Sequence, residues 1–376
     1  MAEITPEIQA QLDEQKKNCP FCKIIAGEIE SNGIYEDESI KVILDINPWI
    51  KGHMLIMPKE HYPIMPFIPA ETFSHMFGLV PKLIDAVKKS MLTTGANVLI
   101  ANGGVAGQQS PHFLFHLIPR EKGDQIFDRF LLDDDRNIEK EKNSQLKEAL
   151  AKNIPIMMQN HFSRNPSSWH TGNINTPSFL ESRQKIYEDE KALVAMPENP
   201  QCLGHLVVYS SEEEKYFENL DVESASHVFY VASFCATAVF EGLGAQGSNI
   251  ILKTGESDDN PDALLEIHIL PRYPEDGIDV IPEPLKEKPN PEQVASKIKD
   301  ETFMIAHEQK EEKKEEVINL DERKIEVICE NNYGDNNPDE TDDDSGNIKE
   351  DDNEDSIGNN PEDEISLAIR KLKETK

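Results

Sequence analysis

The pentapeptide IYEDE occurs twice in this chain of 376 residues, at residues 34–38 and again at residues 186–190. The same offset of 152 residues carries further short matches, without a gap, up to Lys147 and Lys299. Self-similarity at a fixed period indicates a repeated structural unit. The sequence therefore predicts a duplicated domain. The matches include Asn47-Pro48 with Asn199-Pro200, Gly52-His53 with Gly204-His205, and Pro119-Arg120 with Pro271-Arg272.

Each copy has the same pattern of predicted elements. Branched and apolar runs typical of strands come in pairs, at 40–46 and 53–58 in the first copy. A helical pattern follows, then two more strands and a trailing helix. Short turns between strands, with helices inserted, favour an α+β unit on an antiparallel sheet. We predict one unit at 19–162 after an N-terminal extension (1–18), a Ser-, Asn- and Pro-rich linker at 163–184, and a second unit at 185–314.

Composition and charge exclude several classes of function. The formal net charge is -33, so phosphate repulsion argues against broad contact with DNA or RNA. No apolar run approaches the roughly 20 residues that span a bilayer, and the polar, acidic start is unlike a signal peptide. The five cysteines are unevenly spaced, which fits a reducing cytoplasm better than a disulfide-bonded secreted protein.

Much of the excess acid lies in the C-terminal segment 315–376. Residues 331–364 contain many carboxylates, the single Lys349 and almost nothing apolar. Such a segment cannot bury enough surface to offset the loss of chain entropy, so we predict a largely disordered tail. Ile365, Ile369 and Leu372 then recur at helical spacing. They predict either a short docking helix or a frayed end, and the acidic tail as a whole could attract a basic protein.

The run PHFLFHLIPR at 111–120 is the most informative stretch for function. Side chains alternate along a strand, so His112, Leu114 and His116 project from one side. Together with CPFCKIIAGEI at 19–29 and LDINPWIKGHMLIMPKEHY at 44–62, the run GQQSPHFLFHLIPR closely resembles the histidine triad (HIT) superfamily. Members of that superfamily carry His-x-His-x-His and act on nucleotides joined through a phosphate to a leaving group.

The resemblance implies both a fold and a mechanism. Single-domain HIT proteins usually pair their five-stranded sheets as homodimers, so we expect the two copies to form an intramolecular pseudo-dimer with ten strands. In the family the middle histidine attacks phosphorus. That position is Leu114 in the first copy and Glu266 in the second, and a leucine side chain has no lone pair. We therefore expect no intact catalytic triad, with His116 as a residual member.

The resemblance also implies a nucleotide pocket in the first copy, for a purine nucleotide or dinucleotide. It places Asp45 at the ribose, His116 at the phosphate, and an apolar slot for the base around two further side chains. The second copy departs from the pattern, with Pro197 for Asp45 and Thr254 for Asn102. The residues implied for the nucleotide are Phe21, Ile24, Asp45, Asn102, Gly107, Gln108 and His116.

A zinc site is implied in the first copy. Family members with this C-x-x-C complete the site with two histidines, which here gives Cys19, Cys22, His61 and His112. Four such ligands form a closed tetrahedral structural site. The alternative is a pair of half-buried thiols beside a core histidine. The second copy offers Thr171, Ile174, Glu213 and Leu264 at these positions, so we expect no zinc there.

Three functions stay open at this point. The first is a catalytically degenerate nucleotide-binding protein. The second is an active nucleotide hydrolase or nucleotidyl transferase that uses His116 or a metal-bound water, although four protein ligands would close the metal. The third is an interaction scaffold that uses the acidic tail. The galactose-1-phosphate uridylyltransferase group also has two such halves, but its His-Pro-His signature is absent. The remaining paired histidines (His53 with His205, His75 with His227) indicate packing or hydrogen-bonding roles.

Overall fold

A computed structural model describes residues 14–126, 138–164, 176, 178–212, 214–303 and 305. The predictions for the tail at 315–376 and for most of the linker concern residues outside this set. In the described part, each copy forms five strands. They are β1 (Gly33–Glu36), β2 (Ile40–Leu44), β3 (Met54–Pro58), β4 (Gly95–Asn102), β5 (Phe115–Arg120), β6 (Gln184–Glu188), β7 (Ala192–Met196), β8 (Leu206–Ser210), β9 (Gly247–Gly255) and β10 (Glu266–Arg272).

The helices lie before, between and after these strands. They are α1 (Pro20–Ile25), α2 (Ala70–Gly78), α3 (Val80–Met91), α4 (Lys140–Arg164), α5 (Val222–Leu243) and α6 (residues 291–303). The sequence predicts one helix between the third and fourth strands of each copy. The first copy instead has two, because Pro81 begins a new helix at α3 and cannot continue α2. The second copy has no proline there and forms the single helix α5.

All ten strands join in one antiparallel sheet, which confirms the predicted α+β pseudo-dimer. The order is β1-β2-β3-β5-β4-β9-β10-β8-β7-β6, so β4 of the first copy pairs with β9 of the second. Leu99 faces Ile251 at the centre of this pair. These two residues are equivalent in the repeat, so a pseudo-twofold axis passes between them, as in an isologous dimer.

Glycines allow the central strands to approach closely. Gly255 has φ +71°, and a Cβ there would lie 2.3 Å from the carbonyl oxygen of Thr94. Its repeat equivalent, Gly103, has φ +91° and would meet the carbonyl oxygen of Gln246 at 2.9 Å. Only glycine fits such positions without strain. The recurrence of this glycine in both copies therefore follows from the junction between them.

Helices α2 to α6 cover one face of the sheet and form the main core with it, whereas α1 packs on the opposite face against Ile43 and Leu55. Phe77 stacks on Phe115 of the sheet and on Phe229 of α5, so the core is continuous between the copies. Among the described helices, α5 is the one long and apolar enough, by composition, to cross a membrane. More than half of that segment is buried in the protein, and Phe229, Val231 and Cys235 pack in the core. Its apolar character is thus explained by the core.

The trailing helices pack across the pseudo-dimer. Helix α4 follows the first copy but packs on β6, the edge strand of the second, where Lys147 Nζ donates to Gln184 Oε1 at 2.7 Å. In return, Thr302 of α6 donates to the carbonyl of Ile34 in β1 at 3.5 Å. The sequence assigned each trailing helix to its own copy. The hydrophobic effect is non-directional, so the apolar face of a helix can be buried against either copy. Only the folded structure shows that each trailing helix packs on the copy to which it does not belong in sequence. The domain boundaries stay a prediction.

Candidate functional site

A cavity of about 600 Å³ opens on the first copy, a volume within the usual range for small-molecule sites. Its walls come from α1, from the loop after β2 and from the loop before β5. A further wall comes from the second copy, through Ile281, Pro282 and Pro284 in the segment after β10. That segment is tied to the first copy by the Leu285 N–H, which donates to the carbonyl of Pro48 at 2.8 Å.

Two histidines form a hydrogen-bonded pair at the base of the cavity. The backbone N–H of Trp49 donates to His53 Nδ1 at 3.2 Å, so His53 carries its proton on Nε2. His53 Nε2 in turn lies 3.0 Å from His116 Nδ1 and donates to it. His116 therefore keeps its proton on Nε2. The Nε2–H group of His116 can therefore donate a hydrogen bond, but this nitrogen has no lone pair with which to act as a nucleophile or base.

Burial keeps both of these histidines neutral. Loss of solvation lowers the pKa of His116 to about 4 and brings the pKa of His53 well below its ordinary value. The indole of Trp49 stacks on both rings, with centroids 4.4 Å from His53 and 4.6 Å from His116. Trp49 thus shields the pair from water on one side.

Leu114 lies beside His116 on the cavity wall, at the position where the family nucleophile is expected. It packs in an apolar cluster with Phe21, Ile24 and Leu55. The neighbouring Phe113 and Phe115 point into the main core, which confirms the predicted alternation of side chains. No side-chain atom of Leu114 can attack phosphorus or carry a proton. Phe21 and Ile24, predicted as the base slot, do line the cavity.

Asp45 also lines the cavity, at the end nearest Trp49. Its Oδ1 accepts the Asn47 N–H at 2.7 Å, and its Oδ2 lies 3.8 Å from His53 Nδ1. Burial raises the pKa of Asp45. Lys288 of the second copy donates to Asn47 Oδ1 at 2.7 Å, and its charge partly counteracts that shift. The carboxylate is thus placed to accept a hydroxyl hydrogen bond from a ligand.

The three residues predicted near the phosphate do not share one role. Gly107 lines the cavity with φ +87°, and a Cβ there would lie 2.9 Å from Ile281 Cγ1. Gln108 also lines the cavity, but its side-chain amide hydrogen-bonds to the backbone and so stabilises the loop before β5. Its Oε1 accepts the Gly103 N–H at 2.8 Å, and its Nε2 donates to two carbonyls, of Pro63 at 2.7 Å and Ser110 at 2.8 Å.

Asn102 does not line the cavity. Its Oδ1 accepts the N–H of Met65 at 3.3 Å, and its Nδ2 lies 3.5 Å from Ser248 Oγ of the second copy. The structure therefore gives Asn102 contacts within the core and across the junction of the two copies. Its predicted contact with a nucleotide stays a prediction.

Cys19, Cys22, His61 and His112 come together beside the cavity, with their ligand atoms all within 4.8 Å of one another. Cys22 Sγ lies 3.3 Å from His61 Nδ1 and 3.5 Å from His112 Nδ1, and Cys19 Sγ lies 3.8 Å from His112 Nδ1. A tetrahedral zinc with Zn–S of about 2.3 Å and Zn–N of about 2.05 Å would set S to N edges of about 3.6 Å. The donor set and spacing therefore suit such an ion.

Two further contacts fix this cluster. His112 Nε2 donates to the carbonyl of Pro58 at 2.8 Å, which leaves Nδ1 directed at the two sulfurs. Cys19 caps α1, because its Sγ accepts the Cys22 N–H at 3.5 Å and Pro20 begins the helix. Burial and the neighbouring Cys19 raise the pKa of the Cys22 thiol to about 12. A bound cation would be needed to hold it as a thiolate.

The second copy repeats the histidine pair but fills the equivalent cleft with ionic groups. His205 Nε2 donates to His268 Nδ1 at 3.0 Å, and His268 Nε2 donates to Glu266 Oε2 at 3.1 Å. Burial alone would raise the pKa of Glu266, but this hydrogen bond and the buried Lys253 hold it at about 2. Lys253 occupies the place of Ala101, and its Nζ donates to the Asp259 carbonyl at 2.8 Å.

Asp259 is turned away from that cleft and into the junction. It is fully buried and pairs with Arg120 of the first copy, with Nη1 to Oδ1 at 2.6 Å. Arg120 also makes a bidentate ion pair with Asp124, through its Nε–H and Nη2–H groups. Of the four second-copy positions where no zinc was expected, Leu264 is exposed, and Thr171, Ile174 and Glu213 lie outside the described residues.

Sequence reasoning missed Trp49 and the wall formed by the second copy. Trp49 had a detectable signal, since its repeat equivalent is Gln201 and a tryptophan before Gly-His stands out. Ile281, Pro282 and Pro284 had none. These three residues lie after the repeated strand motifs of the second copy, in the segment that follows β10. They reach the cavity of the first copy only because β4 pairs with β9.

Comparisons with known proteins agree with this architecture. The HIT domain family model matches twice, at residues 26–123 and 180–275. An uncharacterized HIT-like protein of Methanocaldococcus jannaschii is 44% identical over 106 residues, covering 28% of this chain and 81% of the relative. The adenylylsulfatase HINT3 of Arabidopsis thaliana is 40% identical over 112 residues, covering 30% of this chain and 57% of the relative.

Among solved structures, a Zn-bound histidine triad family protein from Mycobacterium smegmatis is 35% identical. The match covers 29% of this chain and 80% of that one, with a TM-score of 0.28. The aligned part thus corresponds to about one copy of the repeat.

Proposed function

Because the chain belongs to the HIT domain family, with two copies of the domain in tandem, we propose that its first copy binds a purine nucleotide or related nucleoside derivative without forming a covalent bond to it. The observation that carries the proposal is one cavity that combines the Asp45 carboxylate, the His116 Nε2–H donor and the apolar wall around Phe21, with Leu114 at the nucleophile position. Asp45 would accept the ribose hydroxyls, and Phe21 and Ile24 would contact the base.

Covalent catalysis by the remaining histidines is disfavoured by their protonation. A nucleophilic histidine needs an unprotonated nitrogen facing the substrate. His116 presents Nε2–H, since its Nδ1 accepts from His53. In the second copy the proton on His268 Nε2 is directed at Glu266, inside a cleft occupied by Lys253. These contacts support binding rather than hydrolysis or nucleotidyl transfer.

We further propose that Cys19, Cys22, His61 and His112 hold a structural zinc ion. The ion would cross-link the loop before β5 to helix α1, and so hold Phe21 and Ile24 against the cavity. With four protein ligands it would have no open position for water or substrate. The ion would therefore act structurally, by holding the apolar wall of the cavity in place, and would not take part in chemistry.

Two predictions from the sequence stay proposals. A basic protein partner would involve the acidic tail at 331–376, outside the described residues. The cytoplasmic location follows from cysteine usage alone. A pull-down with the full chain and with a chain ending at residue 330, in low and high salt, tests the first.

The binding proposal is tested by isothermal titration calorimetry on zinc-loaded protein. We expect saturable, one-to-one binding of at least one purine nucleoside or nucleotide from a set of adenosine, guanosine, AMP, GMP and diadenosine polyphosphates. Asp45→Ala should weaken that binding at least tenfold, because a ribose hydroxyl bond to a charged group is worth about 1.5–3 kcal/mol. The matched control is Glu198→Gln, an exposed carboxylate in the equivalent loop of the second copy. No heat from any of these ligands would rule the proposal out.

A further inference from the structure

The hydrogen bonds of the first-copy histidine pair determine what the pair can offer to a ligand. His53 Nδ1 accepts the backbone N–H of Trp49 at 3.2 Å, and His53 Nε2 donates to His116 Nδ1 at 3.0 Å. His116 Nε2 carries the second proton of this neutral pair. A third proton could bind only if one of these two hydrogen bonds were broken. The pair is therefore a neutral unit with one donor left for a ligand, at His116 Nε2.

The surroundings of the pair are mostly apolar. Leu55 of β3 and Leu99 of β4 lie directly opposite His116 on the two neighbouring strands. His53 is fully buried, and His116 is half-buried in the cavity wall. Within the described part of the chain, Asp45 is the charged side chain that approaches the pair, with its Oδ2 3.8 Å from His53 Nδ1. A positive charge on the pair would therefore depend on water for most of its solvation.

The indole of Trp49 covers a further flank of the pair. Its plane lies at 28° to the ring of His53 and at 24° to the ring of His116, so it stacks on both imidazoles. Only 8% of Trp49 is exposed, and the residue belongs to an apolar cluster with Leu99 and Ile118. An indole held in this way excludes water from the covered imidazole faces and limits the rotation of both rings.

A second depression, of about 660 Å³, adjoins the cavity at Trp49. It lies between residues 124–126, which follow β5, and residues 282–287 of the second copy. Trp49, Pro282 and Pro284 line both the cavity and this depression, so they form the partition between the two. Loss of the indole would remove the part of the partition that stacks on the histidines. Water from the second depression could then reach them.

The second copy holds the equivalent pair without an aromatic ring. Gln201 stands at the position of Trp49, and its backbone N–H donates to His205 Nδ1 at 3.1 Å. His268 Nε2 donates to the Glu266 carboxylate at 3.1 Å, so an anion of the protein fixes that proton. The backbone hydrogen bond is thus common to both copies. The indole belongs to the copy in which the last donor of the pair lines a cavity.

We propose that Trp49 is a positioning residue whose indole keeps His53 and His116 dry and aligned, so that His116 offers a bound nucleotide a hydrogen-bond donor and no lone pair. The inference rests on the proposed function and goes beyond it, by naming the side chain that fixes the polarity of the His116 contact. Trp49 acts through the histidines. Without the indole, water would solvate an added positive charge, and the pair would become a cation at mildly acidic pH.

NMR of the zinc-loaded full chain, labelled with ¹⁵N at histidine, tests the inference without a ligand. Loss of signals in His116→Gln identifies those of His116. In the natural protein we expect the Nε2–H tautomer, with less than about a tenth of His116 protonated at pH 5.5. In Trp49→Gln, which introduces the residue of the second copy, at least about half should be protonated at pH 5.5, because a solvated histidine has a pKa of about 6.5. Trp49→Phe keeps an aromatic ring and should restore the natural behaviour.

Two further measurements separate this role from a general loss of structure. Gln201→Ala changes the equivalent position of the second copy and should leave the His116 signals as they are. Calorimetry with AMP at pH 7.5 should show binding to Trp49→Gln that is at least about fivefold weaker, the worth of one neutral hydrogen bond. Trp49→Phe should recover most of that affinity.

Several outcomes would overturn the inference. An Nδ1–H tautomer of His116 in the natural protein, or protonation of more than half of it at pH 5.5, does so whether or not Trp49→Gln folds. A folded Trp49→Gln whose His116 stays neutral at pH 5.5, or whose affinity for AMP is unchanged, does so as well. Absence of binding by AMP and every other purine probe overturns the proposed function, but leaves the role of Trp49 toward His116 to the NMR result.

Discussion

Leu99 of the first copy faces Ile251 of the second across the middle of the ten-stranded sheet, and the two residues are equivalent in the repeat. The pairing makes the two copies one folded unit, since the central strands bury both residues fully. The pairing also places Ile281 of the second copy in the cavity wall of the first, and Arg120 of the first copy beside Asp259 of the second. Copy two therefore supplies stability and one wall of the cavity, although its own cleft is filled by Lys253 and Glu266.

The junction should depend on the buried ion pair between Arg120 and Asp259. Asp259→Asn removes one of the two carboxylates that pair with the Arg120 guanidinium, and breaking a buried pair typically costs about 3–5 kcal/mol. Because Asp124 remains, we expect a loss near 3 kcal/mol in the free energy of unfolding, measured by urea denaturation. Asp262→Asn, an exposed neighbour, should change it by less than about 0.5 kcal/mol. Equal small effects of the two would argue against this role.

The metal cluster should bind one zinc ion per chain. We expect elemental analysis of purified protein to find one equivalent, and Cys22→Ala to abolish it, because three ligands remain and the tetrahedron opens. Cys202→Ala serves as the control, since that thiol packs beside Trp49 and Leu99 and belongs to no ligand cluster among the described residues. Chelation should lower the melting temperature of the natural protein but not that of Cys22→Ala. A full equivalent of zinc in Cys22→Ala would contradict the assignment.

Stability should fall as the pH drops from about 6.5 to about 4. Burial lowers the pKa of His116 to about 4 in the folded chain, against about 6.5 when unfolded. Between pH 6.5 and pH 4 the unfolded state therefore binds more protons than the folded state. This difference in proton binding lowers the free energy of unfolding as the pH falls. His53, whose pKa burial also lowers, adds to the effect.

Urea denaturation at pH 7.5 and pH 5 would measure this loss. We expect the loss to be smaller in His116→Gln, compared at the same zinc content, because one of the groups that titrates on unfolding is removed. A pH dependence identical to that of the natural protein would show that His116 does not contribute.

Restoring the missing nucleophile should restore turnover if the site is otherwise complete. Leu114→His places an imidazole beside His116, and we expect it to cleave adenosine 5′-phosphoramidate at least a hundredfold faster than the natural protein, which should remain at background. The matched control is Glu266→His in the second copy, which should stay inactive because Lys253 fills that cleft. Mass spectrometry of trapped protein would locate an adenylyl group on residue 114. Such an adduct on the natural chain would contradict non-covalent binding.

The sequence by itself determined the repeat, the α+β class and the side-chain alternation around Leu114, whereas the ten-stranded pairing was implied by the resemblance to the HIT superfamily. The repeat, the class and the alternation depend on local patterns, since short matches recur at one offset and strand residues alternate. The break at Pro81 was missed, because the apolar spacing continues through it. The grouping of Cys19 and Cys22 with His61 and His112 was implied by the resemblance, and the structure brings the four side chains together.

Tertiary structure alone decided which residues share the cavity and what they can do there. Ile281 enters from the other copy, Asn102 turns to Ser248 at the junction, and Gln108 uses its amide to brace the loop. The buried ion pair of Arg120 with Asp259 was likewise invisible in the sequence, because it requires the pairing of β4 with β9. The contacts between the two copies join residues more than a hundred positions apart, and no short-range pattern specifies them. They follow from burial, which favours any apolar or paired surface that the completed sheet brings together.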